Sequence, residues 1–391
     1  MSEVAQAPQL RFPEFSGEWK EKKLDSVVSK FIVPMRDKPT DLTGSIPWCR
    51  IEDFDGMYLN QSKTGQGVSE ETVKEMNLKV YPINTLLVSC SANLGFCAIV
   101  KKELITNQTF IGLQSNDNLI NIEFLYYLMK LSSRRLNILS SGTTISYLSR
   151  REFENFKITT PSLPEQQKIA AFLTAVDNKI EQLSKKQALL GEYKKGLMQQ
   201  IFSQAIRFKA DDGSDFPDWK ENKVDEFMEV TRGQVLAVPE MRQVESEIFK
   251  YPVYSSQTKN NGLTGYYTDY LFEDCITWTT DGANAGDVNY RAGKFYCTNV
   301  CGVLRSKKGY ANLCIAQILN SVSRRYVSYV GNPKLMNNVM EKIKISIPSS
   351  INEQTKIANF LSSVDSKIEQ VGKQLDESKQ FKKALLQQMF V

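Results

Sequence analysis

Acidic residues stand beside lysine at the opening of both halves of the chain. Pro13-Glu14 precedes Glu18-Trp19-Lys20, and Pro217-Asp218 runs into Trp219-Lys220. Residues of these types hold magnesium in many nucleases, but that chemistry needs carboxylates converging on one metal from neighbouring strands. Here they crowd into a few residues ahead of the first strand, so each Trp-Lys pair reads as the entry to a domain. The chain has no histidine, which removes Ser-His-Asp and Cys-His nucleophiles and imidazole ligands. Its cysteines are Cys49, Cys90, Cys97, Cys275, Cys297, Cys301 and Cys314. None forms a Cys-x-x-Cys pair, and Cys297 with Cys301 lacks a second pair to complete a zinc site. They read as buried thiols. No GxxxxGK[ST] loop or glycine-rich strand-to-helix turn is present, and Asn332-Pro333 is followed by Lys334, not by the Pro-aromatic pair of amino-methyltransferases. No metal or cofactor is expected in this chain.

Other residues suit recognition better than reaction. Ser140 to Ser149 (SSGTTISYLS) and Tyr254 to Tyr267 (YSSQTKNNGLTGYY) are long loops rich in hydroxyls and amides. Such groups meet the donors and acceptors of base edges, and Lys or Arg pairs with guanine. The candidates are Thr143, Thr144, Ser146 and Tyr147 in the first loop, and Gln257, Lys259 and Asn261 in the second. Asn93, Asn284 and Lys334 join them. The basic doublets Arg134-Arg135, Arg150-Arg151, Lys307-Lys308 and Arg324-Arg325 have the charge to meet phosphates; Arg134 and Arg150 are the ones singled out. Taken singly, each loop or doublet also reads as ordinary solvated surface. A net charge of +5 permits nucleic-acid binding without requiring it.

The elements that must position these residues come in duplicate. Glu165 to Phe202 and Glu353 to Phe390 align without a gap at an offset of 188, with 20 of 38 positions identical. Upstream, Trp19-Lys20-Glu21-Lys22-Lys23-Leu24-Asp25 matches Trp219-Lys220-Glu221-Asn222-Lys223-Val224-Asp225. Ala92-Asn93-Leu94-Gly95 matches Ala283-Asn284-Ala285-Gly286, and Ser133-Arg134-Arg135 matches Ser323-Arg324-Arg325. The chain is a variable domain and a long helix, twice over. The helices are alike and the domains are not, which suggests one shared task for the helices and two separate tasks for the domains.

Each helix opens on Ser-x-x-Glu, at Ser162 to Glu165 and Ser350 to Glu353, which predicts a capping box. Apolar residues follow at heptad spacing: Leu173, Val176, Ile180 and Leu183 in the first helix, and Leu361, Val364, Ile368 and Val371 in the second. Gln187, Lys194, Ser378 and Lys382 interrupt the seam. A solvated pair of helices is one reading; an intramolecular antiparallel coiled coil is favoured. Phe172, Leu189, Tyr193, Phe360 and Phe381 lie off the seam and call for a partner protein to cover them. The domains read as mixed α/β, with strands at Leu86 to Ser89 and Ile343 to Ile347. A helix is expected over Asn121 to Leu139 with Phe124, Leu128 and Leu131 on one face.

Trp-Lys-x-x-x-Leu at a domain start, Ser-Gly-Thr-Thr before a strand, and Pro-x-x-Pro-Glu-Gln-Gln-Lys-Ile-Ala opening a long helix together resemble the specificity subunit of type I restriction-modification systems. The resemblance covers almost the whole chain. In the second copy Asn352 replaces a proline, and Gly331-Asn332-Pro333-Lys334 stands where the Ser-Gly-Thr-Thr loop would be. It implies an α/β chain with a pseudo-twofold axis. After a tail at 1–17 would come a target-recognition domain at 18–161 and a spacer helix at 162–203. A linker at 204–218, a second target-recognition domain at 219–348 and a second spacer helix at 349–391 would follow. Each domain would read one half of a bipartite, asymmetric site in double-stranded DNA. Two methylation subunits with S-adenosylmethionine would dock on the helices, and restriction subunits with ATP and magnesium would join them. The chain itself would be no enzyme. No apolar run of about 18 residues spans a membrane and Met1 to Pro13 lacks a signal sequence, so a cytoplasmic protein is expected. The rival readings are a coiled-coil adaptor without DNA readout and a stand-alone nuclease.

Overall fold

Each half of the chain enters and leaves its domain on one antiparallel strand pair. In the computed structural model, which describes residues 7–34, 38–91, 93–140, 147–256 and 259–390, Lys20–Lys23 pairs with Lys157–Thr160. Lys220–Lys223 pairs in the same sense with Lys344–Ile347. Trp19 and Leu24 bracket the first entry strand, and Trp219 and Val224 the second; all four are buried. A strand whose flanks are apolar and whose body is charged is held at its ends and stays wet in between.

The chain divides into two compact units, residues 1–185 with 372–391 and residues 186–371. In the first, a five-stranded sheet runs in the order Val28–Ile32, Phe110–Ser115, Thr85–Ser89, Cys97–Val100, Tyr58–Leu59, with a three-stranded sheet of Gly67–Val68, Ile46–Cys49 and Ile105–Thr106. Asn121 caps the helix Ile122–Leu131 by accepting from Phe124 N at 2.9 Å. The expected helix over Asn121 to Leu139 is in fact two, Ile122–Leu131 and Ser133–Leu139, broken at Ser132, whose hydroxyl turns back onto Leu128 O at 2.8 Å. Phe124 and Leu128 are buried as expected, but Leu131 is exposed.

In the second unit a six-stranded sheet runs in the order Glu229–Arg232, Cys301–Arg305, Phe272–Thr279, Val288–Cys297, Tyr251–Tyr254, Leu263–Tyr267. Its helix Leu313–Ser323 is capped by Asn312, which accepts from Ile315 N at 3.0 Å. The two sheets are built differently, yet each lies between the same entry and exit strands. All seven cysteines are free and buried, and burial pushes the thiols of Cys49 and Cys97 up to about 12.

The long helices are Leu163–Phe202 and Ile351–Gln388. In the first unit Ile169 and Leu173 share a core with Leu385 and Met389. In the second, Ile201 shares a core with Ile357 and Leu361. In both, the start of one helix lies against the end of the other, so the pairing is antiparallel. The seam holds: Leu173, Leu183, Leu361, Val364 and Val371 are buried, and Val176, Ile180 and Ile368 half-buried. No helix among the described residues is long and apolar enough to cross a membrane.

Candidate nucleic-acid interface

The site is positioned by a lock at the start of each long helix. Glu165 and Gln166 are almost wholly buried, as are Glu353 and Gln354. A buried carboxylate needs a cation and hydrogen bonds to offset its desolvation. Arg11 supplies both, donating from Nε and Nη2 to the two Glu165 oxygens at 2.7 Å each. Trp19 Nε1 adds a bond at 3.3 Å. The hydrogen bond to Glu165 raises the Arg11 pKa above its ordinary value. In the second unit Arg207 does the same for Glu353, at 3.0 to 3.2 Å. These carboxylates, which the sequence suggested for capping boxes with Ser162 and Ser350, face guanidinium groups.

The two glutamines tie helix to domain. Gln166 accepts from Asn121 N at 3.0 Å and donates to Pro161 O at 3.0 Å. Gln354 accepts from Asn312 Nδ2 at 2.6 Å and donates to Pro348 O at 2.8 Å. Each capping asparagine is thereby fixed to the long helix.

Two of the sequence repeats meet in space within each unit. In the first, the Asn93-Leu94-Gly95 turn sits on Ser133, where a Cβ on Gly95 would lie 2.5 Å from the serine Cβ. In the second, Gly286 lies against Val327 and Arg324, and Ser323 Oγ donates to Gly286 O at 2.6 Å. Both glycines have positive φ, +86° and +88°, which only glycine adopts freely. Asn93 and Arg134 are thus exposed at one junction. At the other, Asn284 Nδ2 donates to Ser256 O at 3.2 Å, and Arg324 pairs with Asp287.

Backbone bridges tie a later segment to each of these turns at equivalent places. Tyr147 bridges Ser91 and Leu148 N donates to Cys90 O at 2.8 Å. Lys334 bridges Asp281 and Leu335 N donates to Thr280 O at 2.9 Å. Lys334 and Leu335 therefore hold in the second domain the backbone position that Tyr147 and Leu148 hold in the first, and the Ser-Gly-Thr-Thr loop itself lies outside the described residues. Tyr147 is exposed. Lys334 Nζ lies 3.7 Å from Asp281, which also draws Arg232 at 3.5 Å. Thr143, Thr144, Ser146 and Gln257 lie outside the described residues, and Lys259 is described only as the backbone start of the turn Lys259–Gly262.

Arg150 begins a short helix capped by Ser149 and pairs with Glu154 at 2.6 Å. It lines an open groove of 670 Å³ with Lys30, Lys74 and Lys79, three cations that no sequence pattern marked. Of the doublets, Arg135 is spent locally, on Lys157 O at 2.7 Å and over the Phe156 ring. Arg291, also unmarked, is buried on the Tyr254 ring at 3.8 Å and donates to Thr277 Oγ1 at 3.1 Å and Asn261 O at 2.6 Å. Burial lowers its pKa from the ordinary arginine value. Glu14, one of the acidic residues ahead of the first strand, is ion-paired with Lys168.

Of the off-seam residues, Leu189, Tyr193 and Phe381 are about half exposed. Phe172 and Phe360 are half-buried against aromatic residues of the same chain. Phe12 packs edge-on against Phe172 at 5.8 Å and Phe208 against Phe360 at 5.6 Å. Sequence reasoning missed this because the segments carrying Arg11-Phe12 and Arg207-Phe208 passed as tail and linker.

A family model described as a type I restriction modification DNA specificity domain matches residues 16–190 and again 217–378. The chain belongs to this family. The two matches fall on the two copies of the repeat. The MjaIX type I restriction enzyme specificity subunit of Methanocaldococcus jannaschii is 30% identical over 239 residues, 59% of this chain and 55% of that protein. The match thus spans little more than half the length of that relative. A putative type I specificity subunit of Mycoplasma pneumoniae is 30% identical over 225 residues, 57% of this chain and 80% of that protein. The S subunit of a type I restriction-modification system from M. genitalium has the same fold, with a TM-score of 0.68 over 99% of both chains at 19% identity.

Proposed function

We propose that this chain is the DNA-recognition subunit of a type I restriction-modification assembly and catalyses no step itself. Each mixed α/β domain reads one half of a bipartite, asymmetric duplex site. The paired helices carry two methylation subunits, which bring S-adenosylmethionine, and restriction subunits bring ATP and magnesium. The assembly works in the cytoplasm.

One observation carries this reading. In each unit a glycine turn with positive φ packs against an arginine-bearing helix end and is bridged by a later segment, at Tyr147 in the first and Lys334 in the second, while the locks at the helix starts are duplicates. A constant platform under two different surfaces suits a protein that must read two unlike half-sites with one docking geometry. Arg134 at one junction, and Arg324 with Lys334 at the other, supply charge for phosphates. Asn93, Tyr147, Asn284 and Asn261 supply amide and hydroxyl groups for base edges. The test is an electrophoretic shift on random duplex, with and without a methylation subunit. Binding should fall steeply with salt, log K declining by about 0.9 per phosphate contact for each unit of log salt. A flat dependence between 50 and 200 mM would leave only an adaptor.

A further inference from the structure

Behind Asn261 the second domain holds a polar cleft of 220 Å³, lined by Ser255, Thr279, Asn289 and Asn320, with Arg291, Arg324 and Asp287 as its charged members. Arg291 is 8% exposed. A guanidinium this deep is normally paired with a carboxylate, yet its hydrogen bonds go to a hydroxyl and a carbonyl, and among the described residues no carboxylate lies within ion-pair distance. Asp287 is engaged by Arg324, which donates from Nε at 3.0 Å and from Nη2 at 2.5 Å. The three charges leave the cleft with one uncompensated positive charge. The backbone at its mouth, Asn260 and Asn261, is left-handed with φ near +50°, and the Asn261 carbonyl holds Arg291 in place. Counting from the matched glycines, the strand position of Arg291 is taken in the first domain by Val100, which is buried.

We propose that this cleft receives one anionic phosphate of the DNA backbone, with Arg291 as its fixed cation, a contact that rests on the DNA-recognition reading above and is made by the second domain alone. An arginine already stacked and hydrogen-bonded loses little side-chain entropy on meeting a phosphate. The anion would complete an ion pair that the fold leaves half-made. Because the turn carrying Asn261 supports the arginine, phosphate contact and the neighbouring loop are set together.

Two substitutions test this in the full-length chain. Arg291→Met removes the cation. Asn289→Asp, two residues earlier on the same strand face, places a carboxylate beside Arg291 without emptying the core, so it decides the matter if Arg291→Met fails to fold. The probes are inorganic phosphate, read as a rise in Tm against chloride at matched ionic strength, and a random duplex, read as the salt slope of binding. Phosphate should stabilise the wild-type chain and neither variant, and each variant should lose about 0.9 from the slope, which is about 3.5-fold in affinity over a fourfold change in salt. A steep wild-type slope that neither variant alters overturns the phosphate site and leaves DNA recognition standing. Phosphate stabilisation lost with the slope unchanged also overturns it, since the cleft then takes a free anion. A flat wild-type slope sinks both readings.

Discussion

Lys382 of the second long helix is ion-paired with Asp177 of the first, and 188 residues earlier Lys194 of the first helix makes the same pair with Asp365 of the second, at 2.6 Å. The partners exchange helices, as an antiparallel pair of repeats requires. The lysines that break the apolar seam are thus its register marks. In the first unit Tyr127 Oη also donates to Asp177 at 2.8 Å. Each of these ionic groups is partly exposed, so the pair contributes modestly to stability and chiefly fixes alignment. We expect Lys382→Asp to destabilise the chain by about 1 to 2 kcal/mol and Asp177→Lys to restore about half of that when combined with it. Chemical denaturation of the two single variants and the double variant measures the coupling; strictly additive effects would show the pair is incidental.

The locks at the helix starts should matter more. Arg207→Met leaves the carboxylate of Glu353, which is fully buried, without its cation. The expected cost is about 3 kcal/mol, with most of it recovered in Arg207→Met/Glu353→Gln, because removing both charges is far cheaper than removing one. Arg11→Met should cost less than Arg207→Met, since Glu165 keeps its bond from Trp19 Nε1 while Trp219 Nε1 is buried without a hydrogen-bond partner among the described residues. Equal losses at the two sites would contradict this account of the lock.

Much of this was legible because the repeat wrote it twice. The ungapped offset of 188 residues located both helices, and their observed starts, Leu163 and Ile351, fall within two residues of the aligned blocks. The Trp-Lys entries, the Asn-x-Gly turns and the Ser-Arg-Arg helix ends were all visible as pairs. What escaped lay where the offset changes. Arg11-Phe12 and Arg207-Phe208 are 196 residues apart, so alignment on the helices missed them, and Glu165 was given to a capping box in place of a distant arginine. Sheet order was hidden for a different reason: strands such as Val28–Ile32 and Phe110–Ser115 pair across more than 75 residues, and no local pattern records that. Arg291 carried no signal, being one arginine inside a strand with no match in the other copy.

The glycine turns offer a local test. Gly95→Ala would place a methyl group against Ser133 and force a positive φ on alanine. We predict a loss of about 2 kcal/mol from strain and displacement, with weaker binding of the half-site read by the first domain. Thermal unfolding and methylation of the assembled complex read the two effects, and a neutral Gly95→Ala would mean the turn is not seated as described.

The exposed faces of the long helices make a contrasting prediction. Tyr193 and Phe381 are repeat equivalents, each about half exposed. Alanine at either should change stability by less than about 0.5 kcal/mol but lower co-purification of a methylation subunit severalfold, as expected for aromatic anchors. Gly191 and Gly196 have nothing within 4 Å of a built Cβ, so alanine there should stabilise the free chain by about 1 kcal/mol each. Tyr193→Ala and Phe381→Ala that retain full partner binding would remove the docking assignment.

The central claim is that each domain reads its own half-site on a shared platform. It is tested most directly by replacing residues 219–348 with the corresponding domain of a relative, co-expressing the chimera with its methylation subunit, and sequencing the methylated sites. The account predicts that one half of the methylated motif changes and the other half keeps every base. A motif altered in both halves, or in neither, would contradict it.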